Sequence, residues 1–271
     1  LRLMGDTELV HLPDVESFLY NGLPFSLKGD LSSTLVVLPA DPAPREIGTA
    51  LSAISNLAGA TGRLGDRIEF VPDYALQGPM DLDRNILFVS VVGHSPLLAQ
   101  WSDRLPLSTT GERLRVRLPT SSESFLEALR ARQPNQQARL VAEFLAGAEN
   151  PGVVMEMESP LHRGRSAIVI TADAAENLPA VIDLQGYTEA RMSDGGDLLL
   201  LEGEKRAIFR IGRSYADKEA SRWKFLLWIF GEHWLILFPI VLIAALILAL
   251  VLRSWLRHRE QVRLELLDRL E

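Results

Sequence analysis

The sequence has 271 residues, 47% of them hydrophobic and 23% charged, a balance typical of a chain that folds around an apolar core. Its formal net charge of -7 argues against nucleic acid as a partner, because phosphate binding requires clustered Lys and Arg side chains. It contains no cysteine, which excludes disulfides, thiolate metal sites and cysteine nucleophiles. The first residues carry no signal-peptide pattern, so we expect the chain to be the C-terminal part of a longer protein or a processed product.

Short apolar runs alternate with helical spacing along residues 31–213, and we predict that this stretch forms one folded domain. Strands are predicted at 33–39, 68–71, 86–92, 113–118, 152–159 and 166–172, with a closing antiparallel hairpin at 198–202 and 207–211. Helices are predicted at 47–57, 94–102, 122–131, 137–147 and 174–185. Such alternation favours βα units, so the predicted fold class is a flavodoxin-like layered α/β domain with a mostly parallel sheet. Residues 1–30 are interpreted as a linker from an upstream domain.

The sequence offers little that points to catalysis. The glycine-rich segment 59–65 follows a predicted helix instead of preceding one, so it indicates a helix stop and not a phosphate loop. His94 follows a predicted strand, where α/β proteins bind ligands, and is the best single candidate for a ligand contact; with Ser95 it is also typical of a helix start. Glu156 and Glu158 alternate with methionines, which is ordinary half-buried strand patterning. We therefore predict no catalytic residue, no cofactor and no metal site.

An uninterrupted apolar segment, LILFPIVLIAALILALVL, occupies residues 235–252. At roughly 1.5 Å per residue it would form about 27 Å of helix, close to the hydrocarbon thickness of a bilayer. We predict a single transmembrane anchor at 232–254, with tryptophans near both ends at the interface. The alternative, a buried helix of a soluble domain, would need protein on every side. Arginines crowded beyond the span place the short tail, 255–271, in the cytoplasm and the main domain outside it.

The segment before the span, 214–231, mixes charged residues with an apolar stripe at helical spacing. We interpret it as an amphipathic helix that lies on the membrane surface, and the alternative is that it forms the first turns of a longer tilted span. The predicted interface with membrane and partner consists of Trp223, Leu227, Phe230, Trp234, Pro239, Ala245, Ala249 and Trp255. Its small residues would allow a neighbouring helix to pack closely.

Three stretches in this order resemble the C-terminal half of the periplasmic accessory subunit of bacterial cellulose synthase: DLSSTLVVLPADP with the helix and GATG stop after it, MEMESPLHRGRSAIVITA, and WLILFPIVLIAA before a basic end. The likeness covers most of residues 10–255. It implies a flavodoxin-like periplasmic domain, an interfacial helix and an anchor in the bacterial inner membrane that packs on the catalytic subunit. That catalytic subunit polymerises glucose from UDP-glucose and binds cyclic-di-GMP, whereas the accessory subunit transfers no sugar. The sequence has no room for the family's upstream carbohydrate-binding domains, so contact with the translocating glucan does not follow from the resemblance.

The main functional hypothesis is a non-catalytic accessory subunit whose partners are the cellulose synthase catalytic subunit and the lipid bilayer. Self-association through a sheet edge of the periplasmic domain is a further expectation. The alternative is a membrane-tethered flavodoxin-like enzyme or ligand-binding protein, with a flavin or another ligand near His94. A receptor-like module is the third hypothesis, and the short tail without an output domain disfavours it.

Overall fold

The structure is a computed structural model that describes residues 12–77, 82–109, 114–116, 132–149, 151–178, 196–203, 205–212 and 214–215, together with positions 246 and 253. The chain divides into two compact units, residues 1–220 and residues 221–271. The described helices are α1 (Val15–Asn21), α2 (Pro44–Thr61), α3 (Pro96–Trp101) and α4 (Arg132–Gly147). The described strands are β1 (Thr34–Leu38), β2 (Glu69–Pro72), β3 (Asn85–Val89), β4 (Leu107–Ser108), β5 (Arg115–Val116), β6 (Gly152–Glu158), β7 (Ser166–Ala172), β8 (Leu198–Glu202) and β9 (Lys205–Phe209).

Seven strands form the central sheet in the order β2-β1-β3-β7-β6-β8-β9. The first four in this order run parallel to one another. Strand β6 is antiparallel to both of its neighbours, and β8 and β9 form an antiparallel hairpin at the edge. The predicted α/β class with a largely parallel sheet is confirmed, as is the closing hairpin. The order β2-β1-β3 is that of doubly wound α/β proteins.

Alternate residues of the central strands pack into two cores, one on each face of the sheet. On one face Val36 and Leu87 pack with the buried side chains of α1 and α2. On the other face Val37 and Phe88 pack with the buried side chains of α3 and α4. Burial on both faces explains why these strands appear in the sequence as continuous apolar runs without polar alternation.

The start of the described chain differs from the prediction, because residues 12–30 belong to the domain and do not form a linker. Asp14 caps the N-terminus of α1 by accepting the Ser17 N–H, and Gly22 ends the helix in the left-handed conformation. Phe18 and Phe25 are fully buried, and their ring centroids lie 5.3 Å apart in an edge-to-face contact. These aromatic side chains place the segment in the core beneath α2.

Several other predicted strands and helices differ from the structure in their length or position. Strand β5 has only two described residues and pairs with β4 outside the central sheet. Ala175–Asn177 forms a short 3-10 turn in place of the start of the helix predicted at 174–185, and the helix predicted at 122–131 lies outside the described residues. Tyr215 forms an antiparallel bridge with Leu12, so the first residues of the predicted interfacial helix belong instead to the domain.

The glycine-rich segment 59–65 is confirmed as a helix stop. Gly62 adopts a positive φ of 65°, which favours glycine, and its N–H donates to the Gly59 carbonyl. The Arg63 N–H then donates to the Ala58 carbonyl, which completes the usual C-terminal cap of α2.

No helix in the described part of the chain is long and apolar enough to span a bilayer. The described positions 246 and 253 are helical, and the rest of the predicted anchor lies outside the described residues, as do residues 216–231 and 255–271.

Candidate functional site

The carboxyl ends of β1 and β3 form the place where this fold class commonly binds ligands. The two strands are neighbours in the sheet, and the helices that follow them, α2 and α3, pack on opposite faces. Diverging connections open a crevice at such a topological switch point. His94 lies in the β3–α3 loop at this edge, where the sequence predicted it.

Glu46 of α2 fills the crevice from the inside. Its carboxyl group is fully buried, and its Oε1 lies 3.0 Å from Nδ1 of His94. It accepts the Val91 N–H at 2.8 Å and the Ala43 N–H at 2.7 Å. The second of these bonds makes Glu46, three residues beyond Ala43, a cap for the start of its own helix. One side chain therefore joins the start of α2 to the β3–α3 loop.

A second buried carboxyl group lies next to this loop. Asp73, directly after β2, is 2% exposed and accepts a short hydrogen bond from the Ser95 hydroxyl. Ser95 also caps α3, because its Oγ accepts the Leu98 N–H. The interpretation of His94 and Ser95 as a helix start is therefore confirmed.

The charge and packing of this crevice do not suit a phosphorylated ligand. Its buried polar side chains include two carboxyl groups, and at the start of α2 the Ala43 N–H is already bonded to Glu46 and Pro44 has no N–H to offer. Phosphate binding at a helix N-terminus needs free N–H groups and favours positive charge. Among the described residues, no group of three His, Cys, Asp or Glu side chains is arranged to hold a metal ion. The geometry disfavours a flavin or nucleotide site at this edge.

Glu156 forms a third buried site, which the sequence analysis missed. The alternation along β6 is as predicted, with Met155 and Met157 in the opposite core, yet Glu156 is only 1% exposed. Its Oε2 accepts the Asp14 N–H at 2.7 Å, and its Oε1 lies 3.0 Å from the Tyr215 hydroxyl. Burial, more than any other cause, raises the pKa of Glu156 from 4.5 to about 8.

Asp197 is buried beside this site at the start of β8. Its backbone carbonyl accepts the Glu156 N–H at 2.8 Å, and its carboxyl group accepts the N–H groups of Ile211 and Gly212. Burial raises the pKa of Asp197 from 3.8 to about 6, against the lowering effect of these two bonds. Two buried acids thus hold the segment that follows β9.

The residues predicted to contact membrane and partner lie outside the described residues. They are Trp223, Leu227, Phe230, Trp234, Pro239, Ala245, Ala249 and Trp255. Their placement stays a prediction from the sequence.

Comparison with known protein families shows which family this α/β chain belongs to. A model of the family described as cellulose synthase BcsB, second FD domain, matches residues 8–170. That match covers more than half of the chain, so the chain belongs to this family, as the resemblance indicated.

Similarity to curated proteins extends over almost the whole chain. The chain is similar to a cyclic di-GMP-binding protein of Xanthomonas axonopodis pv. citri, with 25% identity over 97% of this chain and 34% of that protein. It is 26% identical to a cyclic di-GMP-binding protein of Pseudomonas fluorescens over 88% of this chain and 32% of that protein. It is 25% identical to cellulose synthase 2 of Novacetimonas hansenii over 94% of this chain and 16% of that protein. The chain thus spans about a third or less of the length of these relatives.

Proposed function

We propose that the chain is the membrane-anchored part of a non-catalytic accessory subunit of bacterial cellulose synthase. In this proposal the flavodoxin-like α/β domain lies in the periplasm, residues 232–254 cross the inner membrane once, and the tail lies in the cytoplasm. The anchor packs on the catalytic subunit and supports it while glucan is polymerised from UDP-glucose and exported.

The observation that supports this proposal is the family match at residues 8–170 together with a similarity that runs over 97% of the chain. An alignment of that extent continues past the described domain into the apolar segment 235–252. One relative is named a cellulose synthase, which favours the same complex for this chain. The basic residues after the apolar segment favour a cytoplasmic tail.

The buried carboxyl groups at the switch point bear on whether the proposal gives this domain a nucleotide-binding role. Two of the relatives are named for binding cyclic di-GMP, a ligand with two phosphates. Glu46 and Asp73 would repel such a ligand at the switch point, and at the start of α2 the Ala43 N–H is taken by Glu46 and Pro44 has none. We therefore assign cyclic di-GMP and sugar transfer to the catalytic subunit, and no step of the reaction to this domain.

The anchor would hold its partner by packing alone. The apolar segment contains no charged or strongly polar side chain, so small residues such as Ala245 and Ala249 are the positions where a partner helix can approach closely. The lipid bilayer is the second partner of this segment. Self-association through the edge of the sheet, and contact with the translocating glucan, belong to the same proposal as contacts of the periplasmic domain.

The catalytic subunit is expected to regain glucan synthesis when it is reconstituted in lipid vesicles with residues 214–271 alone, because the proposal gives the supporting role to the anchor. The measurement is the incorporation of glucose from UDP-glucose into insoluble glucan, with the full chain as the positive control. Full activity of the catalytic subunit on its own would contradict the proposal. Recovery with residues 1–213 only would move the supporting role to the domain.

Ala245→Phe is expected to weaken co-purification of the full chain with the catalytic subunit in mild detergent, since a bulky ring would separate two closely packed helices. Leu246→Phe is the matched control, because the next residue of an α-helix points about 100° away from Ala245. Unchanged recovery of the partner with Ala245→Phe would remove this face as the contact and leave the anchor itself in place.

A further inference from the structure

The two ends of the described α/β domain meet beside the same strand of the sheet. Leu12 and Tyr215 form an antiparallel bridge, with N–H to carbonyl distances of 3.2 and 2.7 Å. The residues after Leu12 lead into α1, and those after Tyr215 lead toward the predicted anchor. Glu156, in the middle of β6, contacts both ends through a single carboxyl group.

Each oxygen of this carboxyl group serves one end of the domain. Oε2 accepts the Asp14 N–H, which lies 142 positions away in the sequence. Oε1 lies 3.0 Å from the Tyr215 hydroxyl, which in turn lies 2.7 Å from the Ser166 hydroxyl of β7. We call Glu156, Asp14, Ser166 and Tyr215 the clasp.

We propose that the clasp is a proton-dependent lock, in which the neutral carboxylic acid of Glu156 holds the two ends of the domain together and its ionisation releases Tyr215. This inference stands on the geometry of the described domain and does not require that the chain belong to a synthase.

The hydrogen-bond chain explains why the neutral acid closes the lock. A protonated Glu156 donates to the Tyr215 oxygen, Tyr215 donates to Ser166, and the remaining carboxyl oxygen still accepts the Asp14 N–H. An ionised Glu156 keeps acceptors for both partners but leaves a buried negative charge, which is costly without a cation beside it.

Among the described residues, the titratable groups that hydrogen-bond to Glu156 are Asp14 at the start of α1, Tyr215 after β9 and Asp197 just before β8, and none of them is basic. Arg210 lowers the pKa of Asp197 but is not among the largest effects on the pKa of Glu156. The Asp14 N–H and the hydroxyls of Tyr215 and Ser166 lower the pKa of Glu156, whereas burial, the largest effect, and the Asp14 carboxylate raise it. With a pKa of about 8, Glu156 stays mostly neutral at neutral pH and ionises when the site opens to water.

Hydrogen exchange of the full chain in mild detergent tests the lock, with each rate divided by its intrinsic rate at the same pH. We expect the amides of Leu12 and Tyr215 to be less protected than that of Val169 in the centre of the sheet. Their protection should fall by up to about tenfold per pH unit as the pH rises toward 8, because each opening releases one proton. In Glu156→Gln, which cannot ionise, the same amides should keep a constant protection.

Two control variants test whether the pH dependence of protection comes from the carboxyl group of Glu156. Glu158→Gln, on the exposed end of the same strand, should retain the wild-type pH dependence. Tyr215→Phe keeps the acid and loses the hydroxyl, so protection at Leu12 should drop at every pH while the slope remains. The proposal is overturned if the wild-type amides show no pH dependence, if Glu156→Gln keeps the wild-type slope, or if Leu12 and Tyr215 exchange only together with Val169.

Discussion

The wild-type chain is expected to lose stability as the pH rises from about 6 to about 8, and Glu156→Gln should remove most of that loss. Burial raises the pKa of this carboxyl group, so the folded state keeps a proton that the unfolded state releases. The stabilising contribution is fully present below the unfolded value of 4.5 and is lost as the pH rises through the folded value of about 8. The expected slope is about 1.4 kcal/mol of unfolding free energy per pH unit, and about 3 kcal/mol are lost by neutral pH.

The chosen pH window separates Glu156 from Asp197. Burial raises the pKa of Asp197 to about 6, so above that value its contribution of the same sign has already been lost. Urea unfolding of the full chain in mild detergent, at several pH values across this window, gives the free energies. Glu158→Gln should keep the wild-type slope. If the free energies of wild type and Glu156→Gln stay parallel across the window, the buried acid is not what makes the fold sensitive to pH.

The sequence predicts on which face of β6 Glu156 lies, but it does not predict that the side chain is buried. The alternation along β6 places the side chain on the correct face, because the period of a strand is fixed by its geometry. Whether that face is covered depends on Asp14 and Tyr215, which are 142 and 59 positions away. Local patterns carry no information about such distant partners. The linker interpretation was wrong for residues 12–30 for the same reason, since Val15 and Phe18 of α1 are buried by contacts with residues far along the chain.

The strands themselves were predicted to within a few residues where they are buried on both faces. β1 and β7 are short apolar runs between polar or turn residues, and that signal is local. The antiparallel direction of β6 could also have been predicted, because the loop between Glu158 and Ser166 is too short for the crossover that parallel strands require. At the switch point Glu46 was missed, because Ala43 cannot form the usual Ser or Thr capping box that would have marked a Glu three residues later. The membrane-facing residues from Trp223 to Trp255 stay a prediction.

Glu46→Ala is expected to destabilise the domain by about 3 kcal/mol, because it removes the acceptor of two partly buried N–H groups and empties a fully buried position. The Ala43 and Val91 N–H groups would lose their bonds, and the space of a fully buried side chain would be left empty. His94→Ala should cost under about 1 kcal/mol, since the His94 side chain is 39% exposed and water can reach the remaining carboxyl oxygen.

The difference in stability loss between Glu46→Ala and His94→Ala tests whether the switch point is a structural contact or a ligand site. Urea unfolding at constant pH, with the exposed Glu143→Ala of α4 as the control, measures both losses under the same conditions. A large loss for Glu46→Ala beside a small one for His94→Ala fits a crevice closed by its own side chains, where the carboxyl group joins α2 to the β3–α3 loop. A loss below about 1 kcal/mol for Glu46→Ala would mean that water or a ligand readily replaces the carboxyl group. In that case the crevice would again be a candidate ligand site, and His94 the first residue to test in it.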